Sequence, residues 1–227
     1  MRPGGLRPPE VVGLVPCHRR PPGRKLLEGL LAHVGAVLVV DDGMPGAAAR
    51  SLDALAGDVG ADVLHLARNA GKGHALAAGI ACLLSAPRRP GAVLVVDSDG
   101  QHDPALAPRF LEAGATAELV IGDRFGDLAA MPPIRRAANQ VASLVLGAAV
   151  GAPLRDTQCG MRLLRDRALI EVAFPAGGYE SETSHLKRCL RAGVPVAWVP
   201  IPAVYDGEPS SFRPFVDAAR VLRAALG

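Results

Sequence analysis

The sequence predicts an α/β fold, a mostly parallel central sheet with helices on both faces. Three features predict it. The apolar runs Val11–Pro16, Ala36–Val40 and Val93–Val96 are continuous and not alternating, as in strands covered on both faces. Segments with the helical spacing of apolar residues lie between them. Two of the runs close on acidic and glycine residues, Asp41-Asp42-Gly43 and Asp97-Ser98-Asp99-Gly100. Ligands of open α/β sheets bind beyond such carboxyl ends.

In chain order, Val11–Pro16 is the first expected strand. Lys25–His33 is a helix with Leu26, Leu27, Leu30 and Leu31 on its apolar stripe, and Ala36–Val40 is the second strand. A helix follows around Ala47–Leu55, then a strand at Asp62–Ala67. Asn69-Ala70-Gly71-Lys72-Gly73 opens an Ala-rich helix running to about Ser85. The central strand is Ala92–Asp97. If it stays extended to its end, Asp97 and Asp99 share a face, because residues two apart do so in a strand. Pro104–Ala113 is helical with proline in its first turn, and Glu118–Gly122 is a strand. Gly126–Pro133 reads as a loop. The uncharged run Ala137–Leu154 reads as a buried or interfacial helix ending near Gly147, interrupted by Asn139, Gln140 and Pro153 and therefore no transmembrane span. Asp156–Gly160 is a turn before a short strand, Met161–Leu164. Ser181–Ala192 is a helix, Val194–Val199 a strand, and Phe212–Leu226 an amphipathic segment. One domain is expected over 1–227, its halves meeting near residue 122.

Composition excludes several functions. Hydrophobic residues make up 49% of the chain, enough for a sizeable core. Aromatic residues are 4%, too few for base-stacking platforms, and the net charge of +3 is too mild for a nucleic-acid partner. Cys17, Cys82, Cys159 and Cys189 are dispersed, which fits reduced thiols and neither a disulfide framework nor a zinc site. The Pro/Gly/Arg-rich start and the short apolar segment after it do not read as a signal peptide, so a cytoplasmic location is expected.

The candidate chemistry lies at strand ends. Asp97 and Asp99 are hard oxygen donors suited to Mg²⁺ or Mn²⁺ shared with a diphosphate, and an ordinary Asp/Gly turn is the alternative. Asp41 and Asp42 can accept hydrogen bonds from a nucleoside, or can build an Asx turn with Gly43. Lys72, between two glycines at a helix start, suits a phosphate, although the Walker A spacing is absent. Arg124 can pair with a phosphate or with a surface carboxylate. Asp156 lies in a polar turn between apolar stretches, and Glu180 and Glu182 fall at a helix start where the dipole favours acids. No G-x-S-x-G elbow, G-x-G-x-x-G fingerprint or metalloprotease histidine pair is present.

Taken in order, Val39–Gly43, Asn69–Gly73, Asp97–His102, Gly122–Phe125, Asp156–Gly160 and Val199–Pro202 resemble the family 2 glycosyltransferases, in particular the polyprenyl- and dolichol-phosphate mannose and glucose synthases. The resemblance spans about residues 11 to 216. It implies a glycosyltransferase-A fold, with 11–122 as the nucleotide-sugar half and 123–227 as the acceptor half. It implies a nucleotide-diphosphate sugar donor, a Mg²⁺ or Mn²⁺ cofactor and transfer with inversion. By position, Pro16, Asp41, Asp42 and Gly43 would hold the nucleoside, and Lys72 would lie near base or phosphates. Asp97 and Asp99 would bind the metal with Gln101 beside them. Arg124 and Arg213 would face phosphate charge. Glu182 or Asp156 would serve as base if the acceptor is a hydroxyl.

The sequence departs from the family pattern at Pro16-Cys17-His18-Arg19-Arg20, where Pro-x-Tyr-Asn-Glu is usual, and at Met44, where serine is usual. Arg135 and Arg136 before the uncharged helix and Arg155 after it suit lipid phosphates, and the resemblance, in whose family this segment lies towards the membrane, implies a polyprenyl-phosphate acceptor and peripheral contact with the inner face of the cytoplasmic membrane. On the alternative reading, Val141, Leu144, Val145 and Ala148 are the core face of a globular helix. Two further readings stay open: a sugar-1-phosphate nucleotidyltransferase, and a catalytically silent relative acting as a binding or scaffold protein.

Overall fold

The computed structural model describes residues 10–127, 131–171, 174–175, 177–178 and 180–204. Arg213 and the amphipathic Phe212–Leu226 segment lie outside them.

Among the described residues, seven strands form one sheet in the order β3-β2-β1-β4-β6-β5-β7. They are β1 (Val11–Cys17), β2 (Ala36–Asp41), β3 (Asp62–His65), β4 (Ala92–Val95), β5 (Leu119–Asp123), β6 (Arg162–Arg165) and β7 (Val196–Pro200). Neighbours pair in parallel except at β6, which runs antiparallel to both β4 and β5. The expected mostly parallel α/β sheet is therefore present. Residues 92–96 are at most 1% exposed, so both faces of the central strand are covered. Each buried valine there stabilises the fold by about 2 kcal/mol.

Among the described residues, six α-helices connect the strands: α1 (Arg24–Leu31), α2 (Gly46–Val59), α3 (Lys72–Ser85), α4 (Ala107–Ala113), α5 (Pro133–Val150) and α6 (Glu180–Arg191). A single 3-10 turn, Pro104–Leu106, precedes α4, and the Asp103 side chain caps it by accepting from the Ala105 N–H. Leu26, Leu27 and Leu30 of the expected stripe are the buried residues of α1.

Three differences from expectation bear on the site and on α5. β4 ends at Val95, and the last ladder bond runs from the Val96 N–H to the Leu14 carbonyl. Asp97 and Asp99 are thus brought together by a turn over 98–99 and not by strand alternation. α5 begins at Pro133 and continues through Gly147 to Val150. Proline is tolerated in the first turn, and the stop comes instead from Gly151, which takes φ +70°. Finally, Val141 and Leu144 of α5 are 47% and 74% exposed, whereas Ala142 and Leu146 are buried. Of the residues that the alternative reading put on the core face, Val141, Leu144 and Ala148 are thus exposed, while Val145 packs half-buried against the core. No described helix is long and apolar enough to cross a membrane.

The one antiparallel strand decides what meets at the site. Because β6 runs against β4, the segment before β6 lies at the same sheet edge as the segment after β4. Residues 156–160 are thereby laid against Asp97, and a Cβ on Gly160 would come within 2.0 Å of Asp97 Oδ2. Arg162, the first residue of β6, is 1% exposed. Its guanidinium donates to the carbonyls of Thr157 (2.8 Å), Cys159 (2.8 Å) and Glu182 (3.0 Å), and Nε lies 3.5 Å from Glu182 Oε1. One side chain thus joins the 156–160 turn to α6. Arg162→Met keeps much of the volume but orphans three carbonyls and removes the cation beside Glu182 Oε1. We expect it to cost about 3–5 kcal/mol in urea denaturation, and a loss below about 1 kcal/mol would mean that neighbouring groups replace the guanidinium.

Candidate active site

The carboxyl edge of the sheet gathers Asp41 and Asp42 from β2, Asp97 and Asp99 from the β4 end, Arg124 after β5, Asp156 before β6, Lys72 at the start of α3 and Glu182 in the first turn of α6. Pro16, buried near the end of β1, pairs in register with Val40.

Lys72 is the hub. Its Nζ lies 2.6 Å from Asp97 Oδ1 and 2.9 Å from Glu182 Oε2, with the side chain 15% exposed. Burial alone would lower the Lys72 pKa, but the charges of Asp97 and Glu182 outweigh it and hold the ammonium above its usual range. For Asp97 the balance is the converse: burial would raise its carboxyl, and Lys72, with a smaller contribution from His102, brings it below the ordinary value. Asp99 is raised, first by desolvation and then by the charge of Asp97. Its Oδ1 accepts from the Gln101 N–H (3.0 Å).

These two carboxylates fit a divalent cation. They are hard oxygen donors in one turn, and the repulsion that raises Asp99 is what a cation between them would relieve. Among the described residues no set of three His, Cys, Asp or Glu could hold a metal. The protein would thus supply Asp97 and Asp99, with Gln101 beside them, and leave the other positions to water and ligand oxygens.

Arg124 pairs with the buried Asp156. Nε lies 2.5 Å from Oδ2 and Nη2 2.9 Å from Oδ1, a two-pronged pair. Asp156 is fully buried and also accepts from the Gln158 N–H at 3.0 Å. Asp123 instead accepts from Arg155 (2.8 Å) and from the Phe125 N–H (3.0 Å). Glu182 is 4% exposed, and its Oε1 has no hydrogen-bond partner among the described residues. Glu180, the other acid of that turn, accepts from the Gly178 N–H (3.0 Å).

The Asp41–Asp42 pair is occupied by the protein itself. Asp41 Oδ1 accepts from the Met44 N–H (2.7 Å) across a turn in which Gly43 has φ +70°, and Oδ2 accepts from His65 Nδ1 (2.7 Å). Asp42 accepts from the N–H groups of Ala70 and Gly71, each at 2.9 Å. The turn reading of Asp41-Asp42-Gly43 therefore describes its hydrogen bonds. The glycines around Lys72 have a packing role as well. A Cβ on Gly73 would come within 1.9 Å of Ser181 Oγ, and the His74 N–H donates to the Gly177 carbonyl at 3.2 Å. These glycines let α3 approach the start of α6, which is how Lys72 reaches Glu182.

Several residues of the site were not assigned a role from the sequence. Arg162 could have been noticed as the cation within the otherwise apolar stretch Met161–Leu164. His102 is 5% exposed, its Nδ1 has no hydrogen-bond partner among the described residues, and its pKa is lowered to about 4 by burial, with Arg124 and Lys72 adding to the effect against Asp97. In the altered segment after β1, His18 Nδ1 donates to the Asp42 carbonyl (3.0 Å), and Asn69 Nδ2 donates to His18 Nε2 (2.7 Å). Arg19 has φ +70°, a left-handed conformation uncommon for arginine.

A model of glycosyl transferase family 2 matches residues 14–172. The undecaprenyl-phosphate mannosyltransferase of Micrococcus luteus is 34% identical over 172 residues, covering 73% of this chain and 70% of the relative. The dolichyl-phosphate hexose transferase of Haloferax volcanii is 28% identical over 143 residues, covering 62% of each. Among solved structures, glucosyl-3-phosphoglycerate synthase from Mycobacterium tuberculosis, in complex with Mn²⁺, UDP-glucose and phosphoglyceric acid, superposes with a TM-score of 0.67 at 18% identity, covering 95% of this chain and 78% of that one. The likeness shows the glycosyltransferase-A fold.

One prediction concerns His65, which bridges Asp41 and Asp53 (2.8 Å). Both hydrogen bonds, to Asp41 first, raise its pKa above 6.5. The imidazolium therefore stabilises the folded state fully below pH 6.5, and this contribution is lost as pH rises through the folded value. The melting-temperature gap between the wild type and His65→Gln should be wider near pH 5.5 than near pH 9. An equal gap at both would exclude a charged His65.

Proposed function

This chain belongs to glycosyl transferase family 2, and from the site that Asp97, Asp99, Lys72 and Arg124 build we propose that it moves a sugar from a nucleotide-diphosphate donor to polyprenyl phosphate, with inversion. Membership makes it a glycosyltransferase and sets aside nucleotidyl transfer, and the intact Asp97–Asp99 pair speaks against a silent relative. The observation that carries the finer reading is the Asp97–Asp99 pair at the sheet edge, with Lys72 and Arg124 close by.

The protein's residues divide the work. Asp97 and Asp99 hold Mg²⁺ or Mn²⁺, with Gln101 beside them, and the metal when bound offsets charge on the departing diphosphate. Arg124 faces phosphate charge, and Asp156 holds it in place. With both of its oxygens engaged, Asp156 suits positioning better than proton transfer. Glu182 is the better candidate base, since Lys72 and Arg162 fix it while Oε1 keeps acceptor capacity among the described residues. A phosphate acceptor is already anionic and needs no such base. Asp41, Asp42 and Gly43, beside Pro16, shape the nucleoside pocket through the turns they hold, with His18 and Arg19 at its rim. Arg213 remains a candidate phosphate contact. Residues 11–122 form the nucleotide-sugar side of one domain and 123–227 the acceptor side.

The acceptor reading rests on the names of the two relatives and on α5. Ile134, Val141 and Leu144 are 69%, 47% and 74% exposed, and the spacings of seven and three place them along one face of the helix. Such a face suits lipid tails, with the enzyme peripheral to the cytoplasmic side of a membrane.

Asp99→Asn should keep the melting temperature but lower metal-dependent transfer to a short-chain polyprenyl phosphate by about 10²-fold or more, assayed over a panel of nucleotide sugars. Unchanged turnover and unchanged Mn²⁺ dependence would remove the metal assignment. Separately, the wild type should float with anionic phosphatidylglycerol liposomes and release in salt, and Ile134→Ser with Leu144→Ser should abolish flotation. Failure of the wild type to float, with transfer to a dissolved hydroxyl acceptor instead, would discard the lipid acceptor while keeping the glycosyltransferase.

A further inference from the structure

Lys72 stands where a cation of the reaction would stand. Its ammonium is 2.6 Å from Asp97 Oδ1, the oxygen of one of the two carboxylates assigned to the metal. The same ammonium has a second seat 2.9 Å away at Glu182 Oε2. An ammonium and a divalent ion cannot both sit against one carboxylate without strong repulsion in a site that is mostly closed to water. Asp99, by contrast, accepts from the Gln101 N–H at 3.0 Å and has no ion pair among the described residues.

We propose that Lys72 is a placeholder cation: it neutralises Asp97 while the metal is absent, gives that carboxylate up when the metal binds, and retains Glu182. The inference rests on the metal assignment above and adds a coupling to it. Three observations support two seats in place of one fixed ion pair. The carboxylates come from different elements, the β4 turn and the first turn of α6, so the ammonium can leave one without moving the other. Glu182 is independently held by Arg162, whose Nη1 donates to its carbonyl at 3.0 Å and whose Nε is 3.5 Å from Oε1. Glu182 therefore stays in place whichever way Lys72 turns. Lastly, the approach of α3 to α6 at Gly73 fixes the backbone from which Lys72 reaches. Only the end of a flexible side chain has to move.

The consequence is an order of events. With Lys72 on Asp97, the metal competes against a resident cation and binds weakly by itself. An incoming diphosphate presents oxygens that the released ammonium can contact, so donor and metal help one another to bind, and each strengthens the other by the same factor. The lysine that guards the empty site then becomes a donor-phosphate contact in the filled one.

The test uses the full chain without nucleotide. Mn²⁺ binding is followed by the electron paramagnetic resonance signal of the free ion in the wild type, Lys72→Met, Asp97→Asn and the double variant Lys72→Met with Glu182→Gln. The double variant removes one cation and one anion together, so it guards against a fold lost to uncompensated charge. Both variants lacking Lys72 should bind Mn²⁺ about tenfold or more tightly than the wild type, as expected when a cation adjacent to a carboxylate is removed. In parallel, Mg²⁺ titrated into the wild type should shift the ¹⁵N signal of the Lys72 ammonium, assigned by its absence in Lys72→Met, with saturation at the metal affinity. Equal Mn²⁺ affinity with and without Lys72, or a Lys72 signal indifferent to saturating Mg²⁺, overturns the placeholder. If Asp97→Asn abolishes Mn²⁺ binding in that case, the metal site survives and only the coupling falls. Undiminished binding in Asp97→Asn overturns both.

Discussion

Charge that is removed from water at the carboxyl edge of the sheet must be compensated there, and the site is built around that requirement. Asp97, Asp156 and Glu182 lie on three different elements, each largely shielded from solvent. Left alone, any one of these buried charges would destabilise the fold. Lys72, Arg124 and Arg162 meet them in a chain of contacts: Lys72 joins Asp97 to Glu182, Arg124 takes both oxygens of Asp156, and Arg162 holds the backbone of α6 and of the 156–160 turn. The resulting network fixes geometry. It also makes the candidate site part of what holds α3, α6 and the start of β6 together, so stability and chemistry use the same side chains.

The antiparallel β6 is the topological counterpart of this requirement. In an all-parallel sheet, the residues preceding a strand would lie at the far edge from those following its neighbour. Reversing one strand places Asp156–Gly160 beside Asp97, and a glycine at 160 allows the contact. The same reversal gives Arg162, at the beginning of β6, access to the start of α6. Ser143 of α5, within hydrogen-bonding distance of Thr157 at 3.1 Å, ties the helix with the exposed apolar face to the same turn. The proposed acceptor side thus has a direct structural connection to the proposed donor side.

The nucleoside side was legible in pattern but not in use. Asp41 and Asp42 were readable as strand-end carboxylates, with an Asx turn as the competing reading. The structure satisfies both residues internally, with Met44, His65, Ala70 and Gly71 as donors. Sequence spacing could not reveal this, because His65 and Asp42's backbone partners lie more than twenty residues away. Lys72 and Glu182 are separated by 110 positions, and nothing local marks them as partners. α5 shows the converse difficulty. Its run lacks charge on every side, so periodicity could not say which residues face inward, and Val141 and Leu144 of the apparent core face are exposed.

By itself the sequence determined the local preferences. Continuous apolar runs gave buried strands, proline and glycine placed turns and helix starts, and the ordered motifs carried the likeness to a glycosyltransferase family. Those signals are short-range, set by backbone sterics and by burial of neighbouring residues. Tertiary structure alone decided which charges meet. It bent the Asp97–Asp99 segment into a turn where strand alternation was expected, paired Arg124 with Asp156, and put the ammonium of Lys72 between Asp97 and Glu182. The reason is physical: the partner of a buried charge is chosen by proximity in three dimensions, after the sheet has closed and water has been removed, and no spacing along the chain encodes it.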